Sequence, residues 1–529
     1  MSSARSIVAV LCDQQCSPRG PLAAAELEKR LSEKSDIKKI IVLEKACQDP
    51  EKKLKRLEGK KVLFGGCPYL EETGFYKQAA EKLGLGPGEM LVLDVKSSVM
   101  DFYDTPEGVT ENLAGKLEAM GSLLASSQAI GESPLQPKPA VLVYGSGLSG
   151  LLAALELAGE KLSVDLVETA DRPLAPGCLA ERLHDPGRIR RLSERAAQNE
   201  NIIVLAGERI SRVEAREAGF AVTFEDGRLR EYGAVLFAPE RIEEPSGEIG
   251  AWNLTQLYDR LADRETIKGK IVFLLDRHGE TPAEILQDVL AAARVLKERS
   301  RAEIWILAKQ VRVSLPGLQE LYDSCRQSGI IFVKYDSLSV GNEYGDFEIG
   351  GRDPQSGATF RISKPDRVVL PGKTGLSGAA VEAAGKLGLR LLDGCYSQPE
   401  SLWRLTNESN RPGVLVCGSA RANMDAAGVA GDAAAAVLAM NERLFSRGIL
   451  PVEHLAVVDA DKCAYCLTCL RVCPFAAVAR DSEQRVAKII AAACQGCGIC
   501  AAECPAEAIS LRNLERESIL AGVQALASP

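Results

Sequence analysis

The strongest constraint on this chain is a cysteine pattern written twice: Cys463-x2-Cys466-x2-Cys469-x3-Cys473-Pro474 and Cys494-x2-Cys497-x2-Cys500-x3-Cys504-Pro505. Three thiolates spaced two residues apart force the backbone into a tight loop that wraps one face of a 4Fe-4S cube. The fourth cysteine, followed by a helix-redirecting proline, reaches across to the other cube. The spacing therefore predicts one cluster on Cys463, Cys466, Cys469 and Cys504, and a second on Cys494, Cys497, Cys500 and Cys473. A pair of zinc sites is the competing reading, but zinc gives no reason for the third cysteine, the fixed gap and the proline in both copies. Clusters exchange single electrons, so the rest of the chain must be read for their source.

The sixteen cysteines stand in a chain whose Met1–Arg5 segment leads into a short apolar run, Ile7–Leu11, broken by Cys12 and Asp13. No secretory leader is expected from such a start, and the thiols then point to metal ligation in a reducing, cytoplasmic setting. The balance of 64 basic against 72 acidic residues argues against a nucleic-acid partner. No apolar stretch reaches the length of a membrane span. At 529 residues there is room for three or four domains.

Residues 1–130 alternate short β-branched runs with amphipathic segments, the rhythm of an α/β domain with a mostly parallel sheet. Cys12, Cys16, Cys47 and Cys67 all fall at strand ends or just beyond them. Strand ends of a parallel sheet converge on one edge, so these four thiols are candidates for a third 4Fe-4S cluster; four ordinary small apolar residues are the alternative. Residues 131–139, rich in proline, read as a linker.

After the linker come a buried strand, Ala140–Tyr144, then Gly145-Ser146-Gly147-Leu148-Ser149-Gly150, a helix, and a second strand ending on Glu168. In that setting the first glycine permits the turn, the second lets a pyrophosphate approach the backbone and the third lets the helix pack closely, while Glu168 stands where a ribose hydroxyl would be held. A purely structural βαβ unit is the other reading. Far downstream, Gly413-Val-Leu-Val-Cys417-Gly418-Ser419 and Gly428-Val-Ala-Gly431 lead into an alanine-rich helix that runs to Met440. This resembles the closure of the flavin site in two-dinucleotide flavoproteins of the thioredoxin reductase and glutathione reductase type. The resemblance implies FAD, with Cys417, Gly418, Ser419, Gly428 and Gly431 lining it, and departs from the family at Ser419, where an Asp contacts the ribityl chain.

The FAD-binding domain is thus expected over 140–265 and 345–445, interrupted by an α/β insert over 266–344 that is placed like an NAD(P)H domain. Its turn, Asp276–Pro282, holds a single glycine, so a pyridine-nucleotide site of the usual kind is not expected there. His278 reads as a loop residue. Cys178, Cys325 and Cys395 lack C-x-x-C spacing, which excludes a thioredoxin-type disulfide. A turn-rich joint leads into the cluster module, 446–512, and the tail, 513–529, reads as an amphipathic helix covering that module.

The order of parts (a cysteine-bearing α/β domain, a split FAD domain and a module resembling bacterial two-cluster ferredoxins) is similar to the HdrA family, the flavin-bearing subunits of heterodisulfide reductase, over essentially the full chain. The N-terminal likeness rests on Cys12, Cys16, Cys47 and Gly65-Gly-Cys67-Pro68, with the first pair spaced more widely than the family's Cys-x-Cys. The resemblance implies an FAD and iron–sulfur protein that forms a homodimer inside a hetero-oligomer. Ferredoxin, or hydrogenase- or flavin-type donors, would be its electron partners, and flavin-based bifurcation or confurcation its activity. No catalytic set beyond the flavin is apparent. Two other readings stay open: a self-contained NAD(P)H oxidoreductase similar to the small subunit of glutamate synthase, and a cluster-bearing scaffold without catalysis.

Overall fold

A computed structural model describes residues 7–13, 22–34, 36–44, 46, 61–72, 74–86, 88–127, 134–168, 178–185, 187–244, 250–277, 279–343, 346–392, 396–397, 404–446, 448–449, 452 and 454–527. The chain forms two compact units, one of Met1–Pro134 with Leu450–Pro529 and one of Leu135–Ile449.

The N-terminal domain is a parallel sheet of β1 (Ile7–Cys12), β2 (Ile37–Leu43), β3 (Lys61–Gly66) and β4 (Met90–Asp94), in the order β2-β1-β3-β4. Both faces are covered. Ile7, Ala9 and Leu11 enter one core while Val8, Val10 and Cys12 enter the other, which is why β1 is apolar without alternation. The helix Pro106–Ser126 begins at Thr105, whose hydroxyl accepts the Gly108 amide at 3.1 Å, with proline at the first helical position.

The second unit contains one strand plan twice. In its first half β5 (Ala140–Tyr144), β6 (Ser163–Glu168) and β7 (Ile202–Ala206) step outward. An antiparallel meander follows, β8 (Ile210–Arg216), β9 (Gly219–Phe224) and β10 (Leu229–Tyr232), before β11 (Ala234–Phe237) returns beside β5. After β12 (Arg241–Glu243) the second half repeats this: β13 (Ala251–Trp252), β14 (Lys270–Leu274), β15 (Glu303–Ala308), β16 (Ile331–Lys334), a meander β17 (Ser337–Glu343), β18 (Asp346–Arg352) and β19 (Thr359–Ser363), then β20 (Arg367–Val369). β21 (Thr374–Leu376) pairs with β12 where the chain crosses between halves; a short hairpin, β22 (Leu391–Leu392) and β23 (Tyr396–Ser397), precedes β24 (Val414–Val416). The two parallel sheets read β24-β11-β5-β6-β7 and β13-β20-β14-β15-β16.

This pairing corrects the expected insert boundaries. The second sheet and its meander run from 251 to 369, not 266 to 344, because β18 and β19 continue the hairpin begun by β17. Within the linker, Leu135 exchanges backbone hydrogen bonds of 2.9 and 2.8 Å with Ile449.

The cysteine module is two antiparallel pairs, β25 (Ala456–Val458) with β28 (Ile509–Leu511) and β26 (Val478–Asp481) with β27 (Val486–Ile489). The tail helix Arg516–Ala527 packs on the N-terminal domain instead of covering this module. A Cβ at Gly522 would meet Leu123 Cγ at 3.4 Å and the Ala119 carbonyl at 3.7 Å, ordinary van der Waals contact between the two helices.

Candidate functional site

The two cysteine loops repeat each other at the level of the backbone. Tyr465 and Leu467 in the first copy, and Gly496 and Gly498 in the second, occupy the same two positions with φ of 52°, 59°, 64° and 78°. Ala476 and Glu507, three residues beyond Cys473 and Cys504, are a further left-handed pair at 51° and 49°. Left-handed backbone costs a residue with a side chain about 1–2 kcal/mol, so four such residues at matched positions mark an imposed curvature. The curvature turns amides toward sulfur: Ala477 donates to Cys473 Sγ and Ala508 to Cys504 Sγ, both at 3.3 Å, and Gly496 to Cys494 Sγ at 3.5 Å.

The thiols sort into two groups across the copies. Cys473, Cys494, Cys497 and Cys500 line one small cavity of about 20 Å³, which Phe475 and Ile489 also line. Burial pushes the Cys500 thiol up to about 11, with Cys494, Cys473 and Cys497 adding to the shift. Burial likewise raises Cys469, whose neighbouring thiols are Cys466, Cys463 and Cys504. In both groups, then, the fourth thiol comes from the other copy. The hydroxyl and amide of Thr468 hold the exposed Cys466 below the ordinary thiol value. Among the described residues no three His, Cys, Asp or Glu side chains gather closely enough for a single ion; the thiols stand as two groups of four.

In the second unit the Gly145–Gly150 turn sits between β5 and the helix Leu148–Gly159. Gly145 has φ 113°, and a Cβ there would lie 2.3 Å from the Ala238 carbonyl; one at Gly150 would lie 1.8 Å from the Gly145 carbonyl. The turn is fitted to receive an oxyanion. The Ser146 hydroxyl is buried and has no hydrogen-bond partner among the described residues. A stand-in anion is already present, the Glu240 carboxylate. Its Oε1 accepts the Ser149 amide at 3.2 Å and the Ser149 hydroxyl at 3.1 Å, with the Leu148 amide also donating, and its Oε2 accepts the Ser419 hydroxyl at 3.0 Å. Burial drives the Glu240 carboxyl upward against these donors. The residues therefore fit a phosphate-bearing dinucleotide. Glu168 ends β6, as expected from sequence.

Around Ser419 the polar groups interlock. Its hydroxyl also accepts the Arg241 amide at 3.0 Å. The Arg241 guanidinium donates to Tyr396 Oη at 2.5 Å and to the Thr374 carbonyl at 2.9 Å, contacts Asn423 Oδ1, and stacks on the Tyr396 ring at 4.6 Å. Nearby, Asp432 accepts the Gly418 amide at 2.8 Å and pairs with Arg421 at 2.7 Å. Gly428 donates to the N-cap Asp425 at 2.8 Å, and Gly431 lies within the helix Ala426–Met440. Cys417 is fully buried among apolar residues, and burial pushes its thiol, like that of Cys178, well up.

The equivalent turn of the second half is closed by its own Asp276. Oδ1 accepts the Thr281 amide at 2.7 Å and Oδ2 the Lys309 amide at 2.7 Å, beside an open cavity of about 280 Å³ that Arg277, Glu280 and Lys373 also line. In the N-terminal domain Cys12 ends β1 and Cys67 follows β3, and the register of Leu11 with Gly65 puts both at one sheet edge. Cys16, Cys47, Cys395 and His278 lie outside the described residues. Glu240 and Arg241 were not found from sequence, where a single acid and base after a strand carry no pattern.

Residues 455–505 match the family model of the 4Fe-4S dicluster domain. Over 166 residues the chain is 30% identical to a nitric oxide reductase FlRd-NAD(+) reductase of Aeromonas salmonicida, covering 30% of this chain and 40% of that protein. Over 194 residues it is 31% identical to a heterodisulfide reductase A-subunit-like protein of Archaeoglobus profundus, covering 36% of this chain and 27% of that protein. It thus spans less than half the length of either curated relative. Among solved structures, thioredoxin reductase of T. acidophilum aligns with 58% of this chain and 98% of its own at 15% identity, with a TM-score of 0.43. Among the described residues no helix is long and apolar enough to cross a membrane.

Proposed function

We propose that the chain is an electron-transferring FAD and iron–sulfur oxidoreductase subunit of a heterodisulfide-reductase-like complex. The observation that carries this reading is the crossed grouping of thiols: Cys463, Cys466, Cys469 and Cys504 for one 4Fe-4S cluster, and Cys494, Cys497, Cys500 and Cys473 for the other. Cys12, Cys16, Cys47 and Cys67 are assigned to a third. In the second unit the amides of Leu148 and Ser149 and the hydroxyl of Ser146 bind the pyrophosphate, Glu168 holds the ribose, and Cys417, Gly418, Ser419, Gly428 and Gly431 border the flavin. A flavin exchanges one or two electrons and a cluster one, so the pair converts two-electron into one-electron traffic. The substrate half-reaction belongs to partner subunits, and division of the electron pair between two acceptors is part of the proposal.

Anoxic isolation of the native complex tests it. Flavin, iron and sulfide in the purified chain, together with a co-purifying redox partner, are expected; a chain that carries no flavin and stands alone contradicts it. A self-contained NAD(P)H oxidoreductase is the second reading, favoured by the cavity beside Asp276. Anaerobic bleaching of the flavin and clusters by NADH or NADPH alone would select it.

A further inference from the structure

The anion seat of the Gly145–Gly150 turn is filled by the chain itself. Glu240 is about nine-tenths buried and lies flat against the turn: a Cβ at Gly147 would stand 1.9 Å from Glu240 Cγ. The glycine position through which a pyrophosphate would approach the backbone is thus the one through which Glu240 does so. The carboxylate takes the two amides at the head of the helix Leu148–Gly159 that would hold phosphate oxygens, and the Ser419 hydroxyl, brought 179 residues along the chain, secures its other oxygen. Two anions cannot share one helix N-terminus in a buried pocket.

We propose that Glu240 is a built-in competitor for the pyrophosphate: it closes the seat in the cofactor-free chain, and a dinucleotide binds only with this side chain displaced. The inference rests on the dinucleotide reading of the turn. It makes Glu240 the residue that sets cofactor affinity, and Ser419 the latch that holds it.

The test is equilibrium binding of FAD, followed by flavin fluorescence, to the full-length chain stripped of flavin, in the wild type and in Glu240→Ala, Glu240→Gln and Ser419→Ala. Affinity is expected to rise about tenfold or more in Glu240→Ala, less in Glu240→Gln, and severalfold in Ser419→Ala. Where the alanine variant does not fold, the near-isosteric Glu240→Gln carries the measurement. Equal affinity in all forms, or weaker binding in the Glu240 variants, overturns the proposal and leaves the FAD reading intact. Inorganic pyrophosphate is the second probe. If no form binds FAD but pyrophosphate raises the melting temperature of Glu240→Ala and not of the wild type, the competition stands and the FAD reading falls. If neither ligand acts on any form, both fall.

Discussion

Two regions of this molecule are internal duplications, and they are wired differently. In the cysteine module each copy contributes three thiols to one cage and its fourth to the other, so neither site is complete without both copies. In the Leu135–Ile449 unit each parallel sheet carries its own meander and its own turn, although the first sheet takes its edge strand β24 from beyond the second half. Crossed thiols make a change in one copy felt in both groups, whereas separate turns let one keep its glycines while the other is closed by Asp276. Shared architecture therefore says little about shared chemistry; the residues of the turn decide it.

The difference can be broken by mutation. The largest effect is expected at the crossing point: Cys473→Ala should remove the cluster held by the second copy's Cys494, Cys497 and Cys500, lowering iron from about eight to about four atoms per ferredoxin-like module. Loss from the first copy's cage instead would show the ligands uncrossed. Next comes Gly150→Ala, whose methyl would meet the Gly145 carbonyl at 1.8 Å; a cost of about 3 kcal/mol or more is expected in denaturant unfolding of the full chain. By contrast Gly279→Ala, in the turn of the second half, meets nothing within 4 Å and bears only its φ of 125°, so about 1 kcal/mol is expected. Equal penalties would mean that the two turns are under the same constraint. The smallest effect concerns pH. The folded-state pKa of Glu240 is raised above the usual 4.5, so its contribution to stability is greatest below that value and declines as pH rises through the raised pKa. Glu240→Gln should flatten this decline in flavin-free protein, seen as a smaller loss of melting temperature between acid and neutral pH; an unchanged profile would assign the decline to other groups.

The crossed grouping of the eight thiols was legible in the sequence because they sit at fixed local spacings, the spacing expected of a chain that wraps a cluster. The Gly145–Gly150 turn was legible for the same reason, since its glycines answer steric demands visible within one βαβ unit. Glu240 was not, because its partners Ser149 and Ser419 lie 91 and 179 residues away, in contacts that only the folded sheets bring about. The boundary near residue 345 was misplaced because β18 and β19 alternate like any hairpin, and which sheet a meander joins is a tertiary fact. The tail helix was recognised by its amphipathic spacing, but its packing against Leu123 and Ala119 left no trace in its own residues.

The central claim is that the doubled cysteine motif forms two iron–sulfur cubes. Iron and acid-labile sulfide, counted on the anaerobically reconstituted full chain alongside low-temperature electron paramagnetic resonance of its reduced form, test it most directly. At least about eight of each per chain are expected, with the signature of reduced 4Fe-4S centres; zinc in their place, or iron far below that number, would contradict it.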